Sequence, residues 1–119
     1  MTNDELGQWG EDTACHILVS KGYKIEARNY RFNKYEIDII LSKEENFVVA
    51  EVKTRQTAEI GEPWKAVTRS KQRQIIKVAN HYLQSKNIEQ QVRFDVVSIV
   101  HNQYQTKIQH IEDAFSPIA

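Results

Sequence analysis

Cysteine, net charge and long apolar runs are all scarce in this chain of 119 residues. Its single cysteine, Cys15, cannot close an internal disulfide, which excludes a disulfide-stapled scaffold and agrees with a reducing compartment. No apolar run approaches the roughly 18 residues of a membrane span, and the N-terminus is acidic where a signal peptide is basic and then apolar. We therefore expect a cytoplasmic protein with no membrane partner.

Basic and acidic residues number 16 each, so the total charge gives no support to a nucleic-acid partner. The distribution along the chain is uneven. Residues 53–77 contain seven basic residues and only two acidic ones, a pattern that suits a phosphate-facing surface. These cations are Lys53, Arg55, Lys65, Arg69, Lys71, Arg73 and Lys77.

Length and composition predict one folded unit. Apolar residues make up 40% of the chain and charged residues 27%, close to an ordinary soluble domain. The chain contains no internal repeat, low-complexity tract or linker that would mark a second domain. We expect a single domain over residues 1–119.

Helical spacing predicts two helices. The first begins at Thr2 or Asn3, which can cap it, and ends before Gly22. The second runs from about residue 68 to 86. The first helix carries Glu11 beside an apolar stripe that consists of Leu6, Gly10, Thr13, Ala14 and Ile17.

Alternating apolar residues predict a strand over residues 23–31 and another over 92–100, and the tail from residue 101 can add an edge strand. Between them, residues 36–41 and 47–53 predict a β-hairpin. The order α-β-β-β-α-β, with that extra edge strand, indicates an α/β fold in which helices flank a mixed sheet.

The register of this hairpin follows from its turn. A four-residue loop over residues 43–46 pairs Leu41 with Val48. A slip by one residue would reverse the faces of one strand, so the apolar pattern supports this register. The predicted apolar face comprises Ile37, Ile39, Leu41, Val48, Ala50 and Val52.

The same register places Asp38 opposite Glu51, and Glu36 opposite Lys53. Two carboxylates with Cβ atoms about 5 Å apart can share a divalent cation, which favours oxygen ligands. Such a cation activates water for phosphodiester hydrolysis, and Lys53 can orient that water or stabilise phosphate charge. The alternative is an ordinary solvated strand face, which would explain Glu51 and Lys53 without any chemistry.

Six motifs resemble those of a known nuclease group. The chain is similar to the restriction-endonuclease-like nucleases of the PD-(D/E)xK superfamily, and within them to the YraN family, related to archaeal Holliday-junction resolvases. The motifs are GED at residues 10–12 with Ala14, NYR at 29–31, EIDII at 36–40, EVKTR at 51–55, AVTRSKQ at 66–72 and RFDVVS at 93–98.

The resemblance implies a restriction-endonuclease-like fold and a role for each matching residue. Asp38 and Glu51 would ligate Mg²⁺ or Mn²⁺, Glu11 would complete the ligand set, and Lys53 would be the catalytic lysine. The alternative for Glu11 is an exposed helix residue. Glu36 is either an acid that supports the ligands or the cross-strand partner of Lys53. The expected contacts to the nucleic-acid backbone are Arg31, Lys34, Arg55, Arg69, Lys71 and Arg73.

The implied activity is metal-dependent endonucleolytic cleavage of branched or structured DNA. Two symmetric incisions need two sites, so the resemblance to resolvases also implies a homodimer. One residue departs from the family pattern: Tyr35 stands where a glycine usually precedes the EID motif, which puts substrate access in question. The competing hypotheses are a nucleic-acid-binding module without turnover and a protein-interaction domain.

Overall fold

A five-stranded mixed sheet forms the centre of the computed structural model, which describes residues 1–57 and 67–117. The strands follow sequence order; β3 and β4 are parallel, and the other neighbours are antiparallel. The predicted order and the extra edge strand, β5, are confirmed. The elements are α1 (Asn3–Ser20), β1 (Lys24–Phe32), β2 (Tyr35–Lys43), β3 (Asn46–Arg55), α2 (Arg69–Ser85), β4 (Val92–His101) and β5 (Thr106–Phe115).

Helix α1 begins as the sequence predicts. Thr2 is the N-cap: its hydroxyl accepts the N–H of Glu5 at 3.1 Å, and the Glu5 carboxylate accepts the N–H of Thr2 at 2.9 Å. The chain turns away after Lys21 through Gly22, whose φ of +97° favours glycine. Neither α1 nor α2, the helices of the described residues, is long and apolar enough to cross a membrane.

Each face of the sheet carries its own apolar core. The α1-side core contains Ala14, Cys15, Leu18, Tyr23, Ile39, Leu41, Val48, Ala50, Val97 and Ile99. The α2-side core contains Ile37, Ile40, Val49, Val67, Ile75, Val78, Ala79, Tyr82, Phe94, Val96 and Phe115. The strands that carry Asp38 and Glu51, β2 and β3, are therefore inner strands of a sheet that is covered on both sides.

The hairpin register is confirmed, whereas its turn is shorter than predicted. Leu41 pairs with Val48, but Lys43 also pairs with Asn46, leaving a two-residue turn. Glu44 in that turn adopts a φ of +58°. The register survives because pairing one more residue on each side shortens the loop without shifting the strands.

The prediction that Ile37 shares one apolar face with Ile39 and Leu41 is wrong, since Ile37 packs in the α2-side core and the other two pack in the α1-side core. The side-chain alternation of β2 changes between Ile37 and Ile39. At this point the backbone pairing with β3 ends, at Ile39 and Ala50, and Asn29 of β1 has a φ of +53°. The irregular backbone of β1 at Asn29, beside the point where the β2–β3 pairing ends, explains why strict alternation fails here.

Candidate functional site

Asp38 on β2 and Glu51 on β3 converge one position beyond the last backbone pair of the two strands. The N–H of Asp38 donates to Oε2 of Glu51 at 2.8 Å, and the N–H of Val52 donates to Oδ2 of Asp38 at 2.8 Å. Each carboxylate thus accepts a backbone donor of the opposite strand. These two hydrogen bonds take the place of the next backbone–backbone pair between β2 and β3. They fix both acids at one end of the hairpin.

Both carboxylates are held in a poorly solvated place. Glu51 is only 5% exposed, and burial raises its pKa to about 8, with the charge of Asp38 adding to the rise. Burial likewise raises the pKa of Asp38 to about 6, and the charges of Glu11 and Glu36 act in the same direction. The positive charge of Lys71 opposes both shifts.

The donor set fits a hard divalent cation. Over residues 1–57 and 67–117, neither Asp38 nor Glu51 forms an ion pair with a basic side chain. Buried carboxylates are ordinarily paired or ligate metal ions. In the same part of the chain no third His, Cys, Asp or Glu completes a metal-binding group, so further ligands would be backbone oxygen or water.

Asn29 organises the acids around this pair and is a residue that sequence reasoning missed. Its Nδ2 donates to Oε1 of Glu11 at 3.0 Å and to Oε1 of Glu36 at 2.9 Å. Glu11, which is half-buried on α1, also lies 3.6 Å from the guanidinium of Arg28. The only signal in the sequence was the NYR motif, which carries no indication of a contact to either acid.

The predicted partners Glu36 and Lys53 do not meet. Arg31 donates from Nε to Oε2 of Glu36 at 3.0 Å, so the cross-strand partner of Glu36 comes from β1, its other neighbour. Lys53 is exposed and makes no ion pair within the described residues. Its ammonium is free to approach a ligand from solvent.

The remaining predicted cations fall into two groups. Lys34, at the β1–β2 turn and three residues after Arg31, lies with its Nζ 5.7 Å from the centre of the Tyr35 ring. Arg55 is half-buried at the end of β3, and Lys65 lies outside the described residues. The second group is exposed on the first two turns of α2 and comprises Arg69, Lys71 and Arg73.

Residues 10–99 match the model of the "Uncharacterised protein family UPF0102". The chain belongs to this family. A UPF0102 protein of Christiangramia forsetii is 42% identical over 95% of both chains. A UPF0102 protein of Syntrophomonas wolfei is 43% identical over 95% of this chain and 99% of its own. The resemblance to the YraN family is thereby confirmed.

One solved structure shows a much weaker similarity to this UPF0102 protein than the relatives do. The structure of Pyrococcus furiosus SfsA in complex with Ca²⁺ aligns with 86% of this chain and 62% of its own. The TM-score is 0.36 and the sequence identity 9%, values too low to bear on function.

Proposed function

We propose that the protein is a metal-dependent endonuclease that hydrolyses phosphodiester bonds in branched or structured DNA. The observation that carries this proposal is the convergence of the half-buried Asp38 and the buried Glu51, neither of which forms an ion pair with a basic side chain among the described residues. Two such carboxylates repel each other when ionised, and a divalent cation between them removes the repulsion.

Asp38 and Glu51 would hold Mg²⁺ or Mn²⁺, with Glu11 bound to it through water. Such a cation polarises a phosphoryl oxygen and lowers the pKa of a bound water. The backbone N–H groups of Asp38 and Val52 hold the two carboxylates in place. Backbone donors move less than side-chain donors, so the two acids keep a fixed geometry. Lys53, exposed two residues after Glu51, supplies a mobile positive charge for the phosphate.

The start of α2 supports a polyanionic substrate. Its first turn contains Arg69 and Lys71 and no acid, although the positive end of the helix dipole disfavours cations there. A phosphate bound at this helix end would neutralise the two cations. It could also accept hydrogen bonds from backbone N–H groups of the first turn. The positive charge of Lys71 on this helix end favours the ionised form of both candidate metal ligands. A homodimer, which paired incisions need, belongs to the same proposal.

The second candidate is a nucleic-acid-binding module of the same fold without turnover. It is favoured by Lys53, whose ammonium pairs with neither carboxylate in the described residues. In this alternative, Asp38 and Glu51 stabilise the hairpin through their backbone hydrogen bonds.

Labelled four-way junctions and flap DNA, incubated with the protein and Mn²⁺, distinguish the two. The nuclease proposal expects cleavage by wild type that falls at least about a hundredfold in Asp38→Ala and Lys53→Ala. Lys107→Ala, which removes an exposed cation of β5, is the matched control and should cut normally. Equal cleavage by Asp38→Ala would indicate a contaminant, and salt-sensitive binding without cleavage would favour the module.

A further inference from the structure

A groove with a volume of about 380 Å³ lies between the β1–β2 turn and α2. Three aromatic rings line it: Phe32 and Tyr35 flank the turn, and His81 projects from α2. The volume lies at the lower end of the range found for small-ligand sites. It is separate from the carboxylate pair, whose residues are not among those that line it.

The aromatic wall of this groove is held in place by its own contacts. The rings of Phe32 and His81 meet edge to face, with centroids 3.9 Å apart and planes at 79°. Nδ1 of His81 shares a 3.0 Å hydrogen bond with the Tyr30 hydroxyl, and the Tyr30 ring packs edge to face on Tyr82 at 5.1 Å. A wall fixed in this way loses little entropy when a planar ligand stacks on it.

The polar groups around the rings suit a nucleobase. The side-chain amides of Asn33, Asn80 and Gln84 offer both donors and acceptors to the edge of a base. Lys77 lines the groove, Lys34 lies beside Tyr35, and no acid is found among the lining residues that the structure describes. Aromatic faces combined with cations and without acids match an anionic strand with exposed bases.

The groove shares two elements with the candidate metal ligands. Tyr35 precedes Asp38 by three residues on β2, about 10 Å along a strand. Lys71, whose charge reaches both carboxylates, lies on the same helix as Lys77 and His81. A strand seated in the groove can therefore continue to the carboxylates within a few nucleotides.

We propose that this groove binds an unpaired nucleobase of a nucleic-acid strand, stacked among Phe32, Tyr35 and His81. This inference rests on the proposed function, because it places the cleaved phosphodiester bond near the bound base. It narrows the substrate class to DNA with single-stranded nucleotides beside the cleaved bond, such as a flap or an opened junction. The ring of Tyr35, which directly precedes the EID motif, forms part of this site.

Fluorescence anisotropy in EDTA tests this binding without any contribution from cleavage. Wild type should bind a labelled oligothymidylate about tenfold more tightly than a blunt duplex of equal length, because only the single strand offers a free base. Tyr35→Ala and His81→Ala should each weaken single-strand binding about tenfold. Tyr104→Ala, which removes a ring that is 85% exposed at the β4–β5 turn, is the matched control and should bind like wild type.

An abasic oligonucleotide of the same length separates base stacking from phosphate binding. The proposal expects wild type to bind it as weakly as Tyr35→Ala binds the intact strand. Thermal melting of each variant checks that the fold is retained, and Tyr35→Phe, which keeps the ring, should restore binding if Tyr35→Ala melts early.

Three results would overturn the inference. These are equal affinity for single strand and duplex, unchanged binding by both ring variants, and a bound peptide in the groove of a protein with no oligonucleotide affinity. The anisotropy measurement needs no metal, so its result does not depend on whether the protein cleaves DNA. The groove and the nuclease site are therefore tested separately.

Discussion

Asp38 and Glu51 hold protons more tightly in the folded protein than ordinary carboxyl groups do. Burial raises the pKa of Glu51 from 4.5 to about 8, and that of Asp38 from 3.8 to about 6. The unfolded chain releases these protons at lower pH than the folded chain. The pair therefore lowers the free energy of unfolding as pH rises through this window, unless a cation compensates the charge.

Glu51→Gln should flatten this pH dependence. We expect wild type to lose on the order of 5 kcal/mol of unfolding free energy between pH 5 and pH 8 through this pair, since one pKa unit corresponds to about 1.4 kcal/mol. The variant should lose less, because its neutral amide has no proton to release. Urea denaturation at several pH values measures both curves, and parallel curves would contradict the assignment of the raised pKa.

Mg²⁺ provides the control for that measurement. Saturating Mg²⁺ at pH 8 should restore unfolding free energy to wild type and have little effect on Glu51→Gln, since the cation binds the folded state only where two carboxylates meet.

At the level of elements, α1 lies close against β3 at Gly10. A Cβ atom on this residue would overlap the side chain of Thr54 on β3. This close contact also explains which face of α1 is buried: Gly10, Ala14 and Leu18 face the sheet, whereas Thr13 and Ile17 of the predicted stripe are only half-buried. Small residues at the contact decide the rotation of the helix about its axis.

Gly10→Ala should destabilise the protein by about 1–3 kcal/mol, because the added methyl group forces α1 away from β3. Gly7→Ala in the same helix is the matched control. Nothing lies within 4 Å of its added Cβ, so it should stabilise by up to about 1 kcal/mol through helix propensity. The midpoint of urea denaturation measures both, and a neutral Gly10→Ala would show that the helix can shift at no cost.

At the scale of the whole molecule, a buried polar network around Asp95 joins segments that are distant in the sequence. Asp95 on β4 is 0% exposed and accepts two hydrogen bonds from Arg93 at 2.8 Å. Nε2 of His110 on β5 lies 2.7 Å from it, and Arg93 donates to the Tyr23 hydroxyl at 2.6 Å. The network thus links the region before β1 with β4 and the edge strand β5.

Asp95→Ala should cost about 3–5 kcal/mol of unfolding free energy, since it leaves Arg93 and His110 without their buried partner. Glu112→Ala is the matched control: its carboxylate is 58% exposed and 3.7 Å from Arg93, so the change should be within about 0.5 kcal/mol. Chemical denaturation at neutral pH compares the two, and similar costs would refute a structural role for the network.

The pH dependence of this effect has a defined sign. Burial opposes ionisation of Asp95, but hydrogen bonds from His110, Arg93 and the Asp113 N–H outweigh it and lower the pKa of the carboxyl group. The stabilisation is therefore present above the ordinary pKa of an aspartate and is lost as pH falls through the lowered value. The gap between wild type and Asp95→Ala should narrow in strong acid.

Local patterns in the sequence were sufficient to determine the element order, the α1 cap and the register that brings Asp38 and Glu51 together. These features depend on alternation, helical spacing and capping, which involve residues close in sequence or on adjoining strands. The approach of Gly10 to Thr54, the bridge from Asn29 to Glu11 and Glu36, and the pairing of Arg31 with Glu36 were not predictable in this way.

Only the tertiary structure decided which side Ile37 faces, which residues surround Asp95, and that aromatic rings of the β1–β2 turn meet His81 of α2. Each of these results depends on how elements distant in sequence settle against each other, and on local departures from ideal backbone such as that at Asn29. The periodicity of a single strand or helix contains no information about such contacts, because it specifies a face and not the side chain that will meet it.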